Sequence, residues 1–149
     1  MILRHIFLLR LFSVLVLLPA TGAIFDYPTE GTASYYTSKS CKKEGTSGVW
    51  TAYGERYDEG ALTCAARDRA LFGRYIKVTN LENGKSVIAR VNDFGPNKKL
   101  FRRGRIIDLS KGAFVEIADT KKGVIKVKIE IQPNESKKLS FLLFSGDIT

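Results

Sequence analysis

Four carboxylates in short, turn-rich motifs are the residues of this sequence best suited to acid–base chemistry. They are Glu55 and Asp58 in GERYD, Asp93 in ARVNDFGPN and Asp108 in RIIDLS. Asp93 ends a β-type run just before Phe-Gly-Pro, so it is either a reagent or a turn residue that accepts backbone N–H groups. If these motifs converge on one groove, the clustered acids can keep one carboxyl protonated as a general acid.

The other three acids have structural alternatives as well. Asp108 lies between Ile107 and Leu109, where burial would favour the protonated acid, or it braces the helix predicted to follow it. GERYD also has the composition of a solvated loop, so Glu55 and Asp58 are the weaker pair of candidates.

Residues 1–23 have the layout of a secretory signal peptide, with two arginines, an apolar run too short to span a bilayer, and small residues at the end. An uncleaved anchor is the alternative. The single histidine, His5, lies in this segment. We therefore expect an exported protein that cannot use a Ser-His-Asp or Cys-His mechanism, so that proton transfer depends mainly on carboxylates.

The formal net charge is +9, and the chain stays basic without the two arginines of the signal peptide. For an exported protein this charge favours anionic polymers of the cell envelope as partners over nucleic acid. The basic run at 97–105, NKKLFRRGR, could hold carboxylates or phosphates of such a polymer, or it could be a solvated loop.

Two cysteines, Cys41 and Cys64, lie in the exported part. In an oxidising compartment an even pair favours a disulfide, which would stabilise the fold by about 3 kcal/mol in the chain-entropy model. Two free thiols are the alternative. A zinc site would need further nitrogen or sulfur ligands, and the exported part has no histidine to supply them, so we predict no metal and no organic cofactor.

Six short β-type runs and one helix predict a small closed or half-closed β-barrel. The runs are TASYYT, ALTCAA, RYIKVTNL, SVIARVND, GRIIDL and GVIKVKIEI. Asn83-Gly84 predicts a hairpin between the third and fourth strands. Ser110 is a favourable N-cap for a helix over 110–118.

Aromatic side chains close to the acidic loops predict a sugar-binding surface, because their faces suit a site with one wet edge. The predicted substrate-binding residues are Trp50, Tyr36, Tyr57 and Asn92. Packing in the core is the alternative for the aromatic residues. Strand alternation turns one of Tyr35 and Tyr36 inward, so only one of the two can bind a ligand.

Long motifs in a fixed order give the chain a resemblance to a known family. The segments GTASYYT, TAYGERYDEGALTCA, FGRYIKVTNLENGKSVIARVNDFGPN and GRIIDLSKGAF resemble, in this order, those of rare lipoprotein A-like double-psi β-barrels. The resemblance implies a mainly β fold, a six-stranded double-psi barrel with one or two short helices. It also implies a cleft that faces a glycan.

Bacterial members of that family are associated with peptidoglycan, and some are lytic transglycosylases that cleave the MurNAc–GlcNAc bond without water and leave a 1,6-anhydro end. The motif position of Asp108 resembles that of the proton donor. Members usually have a histidine after a segment like ALTAA, whereas this chain reads ALTCAARDRALFG. Related barrels include expansin N-terminal domains, which loosen walls without evident hydrolysis.

These observations predict a signal peptide over 1–23, a linker over 24–30, a barrel domain over 31–131 and a tail over 132–149. The tail either packs as an extra strand or forms a docking segment. We expect an exported monomer, with no stable membrane insertion, that cleaves peptidoglycan glycan strands. The alternatives are an expansin-like module that binds and loosens wall glycan without catalysis, and an interaction protein that retains only the barrel.

Overall fold

The computed structural model describes residues 26–43 and 49–133, without the side chains of 41–43. The predicted signal peptide and nearly all of the predicted tail lie outside these residues. In chain order the elements are β1 (Glu30–Tyr36), α1 (Ser38–Lys43), β2 (Thr63–Ala66), β3 (Tyr75–Asn80), β4 (Ser86–Phe94), α2 (Lys98–Arg102), β5 (Arg105–Ser110), α3 (Lys111–Ile117) and β6 (Val124–Ile131). Short 3-10 turns lie at Arg69–Leu71 and Thr120–Lys122.

The six strands close into one barrel in the order β1-β5-β2-β4-β3-β6. The β1–β5 and β2–β4 pairs are parallel, and the other four pairs are antiparallel. Closure leaves each strand with a neighbour on both sides, which removes the exposed edges that short strands would otherwise present. The predicted β-barrel is therefore confirmed, in its closed form.

Alternating side chains fill the barrel interior. Ile76 and Val78 of β3, and Val127 and Ile129 of β6, are at most 2% exposed, whereas Lys128 of β6 faces solvent. Each buried aliphatic side chain stabilises the fold by about 1.5–3 kcal/mol, as an upper estimate. The period-2 pattern of the sequence thus determines which face of each strand forms the core.

The predicted helix is confirmed as α3, and its N-cap is Ser110. The Ser110 Oγ accepts a hydrogen bond from the backbone N–H of Ala113 at 3.1 Å. Phe114 and Ile117 are fully buried against the barrel. The sequence did not reveal α1 and α2, because helices of six and five residues are too short to show an apolar period.

Two β-bulges change the outward-facing residues of β4 and β5. On β4, Cys64 pairs with Val91 but Ala65 pairs with Asp93, so that Asn92 is the extra residue. On β5, Ile106 is the extra residue opposite β1. Strict alternation from the buried Val91 would turn Asp93 towards the core, and the bulge instead places it on the outer face.

Tyr27 fixes part of the predicted linker to the barrel. Its side chain is 9% exposed, its hydroxyl donates to the Ile106 carbonyl at 2.5 Å, and its ring centroid lies 5.8 Å from that of Phe101. Burial is the main cause that raises the pKa of Tyr27 to about 12. Tyr27 therefore anchors part of the predicted linker to the barrel.

Cys64 is a free cysteine, so the predicted Cys41–Cys64 disulfide is not formed in this structure. The physical reason is the direction of the side chain, because Cys64 is fully buried in the barrel core. Burial also raises the pKa of the Cys64 thiol, which keeps it protonated and unreactive. The thiol packs as a small apolar side chain.

Candidate functional site

Asp93 and Asp108 lie on the two strands that flank β2, and both are opposite the same residue. Ala65 of β2 pairs with Asp93 of β4 on one side and with Asp108 of β5 on the other. Cys64 and Ala66 belong to the core, so Ala65 faces outward. We call Asp108, Ala65 and Asp93 the acid row. Its two aspartate Cα atoms are roughly 9.5 Å apart, since neighbouring strands lie about 4.8 Å apart.

The Asp93 carboxylate is held by backbone N–H groups on one of its oxygens. Oδ1 accepts from Ala52 at 2.9 Å and from Phe94 at 2.8 Å. The predicted turn role of Asp93 is therefore present, and it orients the side chain. Both of these bonds are to Oδ1, so Oδ2 takes no part in holding the turn.

Asp108 is partly enclosed, with 18% of its side chain exposed. Its Oδ1 lies 3.9 Å from Nη1 of Arg105, a long ion pair. A Cβ atom added to Gly95 would lie 3.7 Å from Asp108 Oδ2 and 3.3 Å from the Ala65 Cβ. The turn after Asp93 therefore crosses over Ala65 and approaches Asp108, which brings both ends of the acid row under one segment of chain.

Glu55 is engaged in a strong ion pair. Its two carboxylate oxygens accept from Nη1 and Nη2 of Arg90 at 2.8 and 2.7 Å, and Oε2 also accepts from the Asn92 amide at 3.0 Å. The Arg90 guanidinium, followed by the Asn92 amide, holds the pKa of the Glu55 carboxyl below its ordinary value of 4.5. A carboxylate held ionised in this way is a poor proton donor.

The same network fastens the loop of residues 49–57 to the end of β4. Besides the Glu55–Arg90 pair, the backbone N–H of Tyr53 donates to the Asn92 carbonyl at 3.1 Å, and Ala52 donates to Asp93. Asn92 itself is 4% exposed, so its side chain serves this network. Trp50, on the same loop, is 61% exposed. The loop thus presents an aromatic surface from a fixed position beside Asp93.

Asp58 makes its hydrogen bond within its own turn and not with the acid row. Its Oδ1 accepts from the backbone N–H of Gly60 at 2.8 Å, which makes it the first residue of an Asx turn, and the side chain is exposed. The turn is packed on α3, because the Gly112 N–H donates to the Glu59 carbonyl at 2.7 Å. The structure therefore gives Asp58 the geometry of a turn residue.

Tyr36 and Tyr57 stack on one another, with ring centroids 4.9 Å apart and 28° between their planes. The Tyr57 hydroxyl donates to the Tyr36 carbonyl at 2.8 Å. Tyr35 packs against the core and lies 4.9 Å from Phe114. The expectation that only one of Tyr35 and Tyr36 faces outward is confirmed, and that residue is Tyr36. Tyr36 lies on the same face of β1 as Ser34, which pairs with Asp108.

Sequence reasoning missed the residues that connect these groups. Arg90 and Ala65 gave no chemical signal, since an arginine in a strand and an alanine in a short apolar run are both common. Gly95 was visible only as part of a turn. Their roles depend on which strands are neighbours, and local pattern does not show that.

Within residues 26–43 and 49–133, no group of three or more metal-binding side chains could hold a metal ion. In the same part of the chain, no helix is long and apolar enough to cross a membrane. The chemical groups at the described site are carboxylates, guanidinium groups, backbone amides and aromatic rings.

Comparison with known proteins places this geometry in a family. A sequence model of the family described as "Lytic transglycolase" matches residues 28–129. The endolytic peptidoglycan transglycosylase RlpA of Rickettsia felis is 44% identical over 113 residues, which cover 76% of this chain and 46% of that protein. The protein of the same name from Neisseria meningitidis is 41% identical over 114 residues, 76% of this chain and 43% of that protein. A probable RlpA from Nostoc is 43% identical over 102 residues, 68% of this chain and 25% of that protein. The chain thus spans less than half the length of these curated relatives.

Solved structures agree on the fold. The apo form of the Clavibacter michiganensis expansin matches with a TM-score of 0.53 and 20% identity, over 71% of this chain and 50% of that protein. A mutant of that expansin in complex with cellohexaose matches with a TM-score of 0.50 and 19% identity, over 70% of this chain and 50% of that protein. At such identities the likeness supports the barrel alone.

Proposed function

Since this chain belongs to the lytic transglycolase family of double-psi β-barrels, we propose that it cleaves the glycan strands of peptidoglycan by carboxylate acid–base catalysis. The relatives named endolytic peptidoglycan transglycosylases support this activity. The bond cleaved is the MurNAc–GlcNAc bond, and the product carries a 1,6-anhydro end.

The observation that supports the proposal most directly is the acid row. Two carboxylates lie on the outer face of the barrel, one on each strand that flanks β2, and the turn at Gly95 covers Ala65 between them. Two acids in different surroundings are also the arrangement that divides acid and base roles.

In the proposed reaction Asp108 is the general acid and Asp93 is the base. Asp108 gives its proton to the glycosidic oxygen as the bond from that oxygen to the MurNAc C1 breaks. Asp93 takes the proton of the MurNAc C6 hydroxyl, whose oxygen forms the new bond to C1. The protons and bonds balance without water, with Asp108 entering the reaction protonated and Asp93 entering it ionised.

We assign the remaining predicted site residues to support and binding. Glu55 and Asn92 are positioning residues, because their contacts hold the loop that donates to Asp93. Trp50 is exposed on that loop and suits stacking against a sugar ring. The Tyr36–Tyr57 stack borders the same face beyond Asp108 and extends the binding surface.

The proposal includes the place of action and the partners. A cell-wall glycan as substrate places the protein outside the cytoplasm. The reaction uses no metal or organic cofactor, and the acid row comes from one chain, so a monomer suffices.

The test is product analysis after incubation of the protein with purified sacculi. We expect soluble products with 1,6-anhydro ends, measured by mass spectrometry, and a loss of at least a hundredfold in Asp93→Asn and Asp108→Asn. Asp58→Asn is the matched control, because it makes the same change of charge at an exposed turn, and it should keep wild-type activity.

Other outcomes would redirect the interpretation. Sedimentation with sacculi without released product would refute the enzyme and support the expansin-like binding module. Products that persist in both aspartate variants would show that another group donates the proton. If the protein neither releases product nor sediments with sacculi, the interaction protein is the interpretation that remains.

A further inference from the structure

Two arginines stack on one phenyl ring at the end of the barrel beside Asp93. The guanidinium carbons of Arg67 and Arg69 each lie 5.3 Å from the ring centroid of Phe94. These distances are within the range of a cation–π contact. Phe94 is 40% exposed, so the ring and its two cations form a surface feature, which we call the Arg–Phe cluster.

No described residue neutralises the positive charge of this cluster by an ion pair. Among the described residues, no carboxylate lies within 4.0 Å of either guanidinium group. Asp68, between the two arginines, instead accepts a hydrogen bond from the Ala70 backbone at 2.9 Å. Two like charges on one ring repel each other, and a bound anion would offset that repulsion.

One of the two cations is also fixed in place. Nη1 of Arg67 donates to the carbonyl of Pro96 at 3.1 Å, and Arg67 is partly buried. A guanidinium group has five N–H donors, so most of its donors remain for a ligand. A planar cation that is held by the protein loses less entropy when it binds a carboxylate through two N–H groups.

The cluster adjoins the acid row directly. Phe94 follows Asp93 on β4 and pairs with Ala66 of β2, and Arg67 follows Ala66. The cluster therefore lies one residue beyond the row, at the end where the parallel strands β2 and β4 finish. A glycan placed across the row would have its substituents within reach of these cations.

We propose that Arg67, Phe94 and Arg69 form a subsite for a carboxylate carried by the muramyl units of the glycan. The inference rests on the proposed function for its ligand, because glycan strands without muramyl groups carry no such carboxylate. The carboxylate has two sources in peptidoglycan, the lactyl group when it is free and the stem peptide when it is attached. Both present the same planar anion to a guanidinium group.

The test compares charged and neutral forms of the same glycan. Alternating GlcNAc–MurNAc fragments with free lactyl carboxylates are one probe, and the same fragments with these groups converted to methyl amides are the second. Peptide-bearing fragments, with and without methylamidated stem carboxylates, are the third and fourth. Binding is measured by calorimetry in the cleavage-impaired Asp108→Asn protein, and cleavage is measured separately in the wild type.

We expect neutralisation to weaken binding by about tenfold for whichever fragment supplies the carboxylate. Arg67→Gln combined with Arg69→Gln should remove this difference. The matched control is Lys126→Gln with Lys128→Gln, which removes the same charge from exposed positions of β6 and should preserve the difference. Arg67→Lys with Arg69→Lys keeps the charge without the planar fork, and should lose part of the preference.

Equal binding of charged and neutral fragments would overturn the subsite. The subsite would also fail if the lysine control lost the same preference for charged fragments, because net charge alone would then attract the glycan. Thermal melting of each variant distinguishes these results from unfolding. If the wild type cleaves charged and neutral glycans equally well, the subsite fails and the proposed function stands. If no fragment is bound or cleaved, both fail.

Discussion

The Glu55 carboxylate and the Arg90 guanidinium form a two-pronged ion pair, with N–O distances of 2.8 and 2.7 Å. The pair joins the loop that carries Trp50 to the strand that carries Asp93. Glu55, which the sequence suggested as a catalytic candidate, is therefore paired with Arg90 and stabilises the loop. Its contribution is measurable independently of catalysis.

A double-mutant cycle of Glu55→Gln and Arg90→Gln should give a coupling free energy of about 1 kcal/mol, at the upper end for partly exposed pairs because both prongs are formed. The measurement is urea unfolding of the two single variants and the double variant. The control is the Lys77–Glu130 pair, whose atoms are 3.6 Å apart and whose side chains are 42% and 47% exposed, and whose coupling should be close to zero. Equal coupling in the two cycles would contradict the assigned role of Glu55.

Low pH should lower the free energy of unfolding through protonation of Glu55. The pKa of Glu55 in the folded protein lies below its ordinary value of 4.5, so the unfolded chain takes up the proton first as the pH falls. The stabilisation is fully present above about pH 4.5 and is lost as the pH falls through the folded value. Free energies of unfolding between pH 7 and pH 3 should therefore fall less steeply in Glu55→Gln than in the wild type. Identical slopes would show that the pair does not titrate with folding.

Ala65→Val should impair catalysis more than stability. The Ala65 Cβ lies 3.3 Å from the position of a Cβ on Gly95, so a larger side chain would push the turn away from Asp108. Because small displacements of reacting groups are costly, release of anhydro products should fall by about tenfold or more. Ala70→Val, at an exposed position of the nearby 3-10 turn, should keep its activity. Wild-type rates in Ala65→Val would argue against a reaction over the acid row.

Gly112→Ala should destabilise the protein although alanine is the better helix former. A Cβ at Gly112 would lie 2.3 Å from the carbonyl oxygen of Gly60, a backbone atom that cannot move without breaking the turn. We expect a loss of about 1–3 kcal/mol in chemical unfolding. Gly60→Ala is the control, since its Cβ would be at an ordinary 3.5 Å from Asp58 Oδ1 and should change stability by less than about 0.5 kcal/mol. A stabilised Gly112→Ala protein would refute this contact.

The Cys64 thiol should be inaccessible in the folded protein. In a Cys41→Ser background, a thiol reagent should label Cys64 only in denaturant, because its side chain is fully buried. In the wild type, a reductant should leave the melting temperature unchanged. A melting temperature that falls on reduction would restore the predicted disulfide.

Local pattern in the sequence determined the strands, the helix and the acids worth testing. Alternation in RYIKVTNL and GVIKVKIEI identifies β3 and β6, since a side-chain period of two follows from the backbone itself. Ser110 identifies the start of α3 because an N-cap needs only the residues that follow it. The motif VNDFGP and the resemblance that it supports directed attention to Asp93 in the same way.

The tertiary structure decided which of these acids face each other. The bulge at Asn92 turns Asp93 outward, and the strand order places Ala65 between Asp93 and Asp108. The register of β4 against β2 depends on hydrogen bonds between residues distant in the chain, so no local pattern contains it. The same reason explains why Glu55 proved to be paired with Arg90, and why Cys64 is buried in the core.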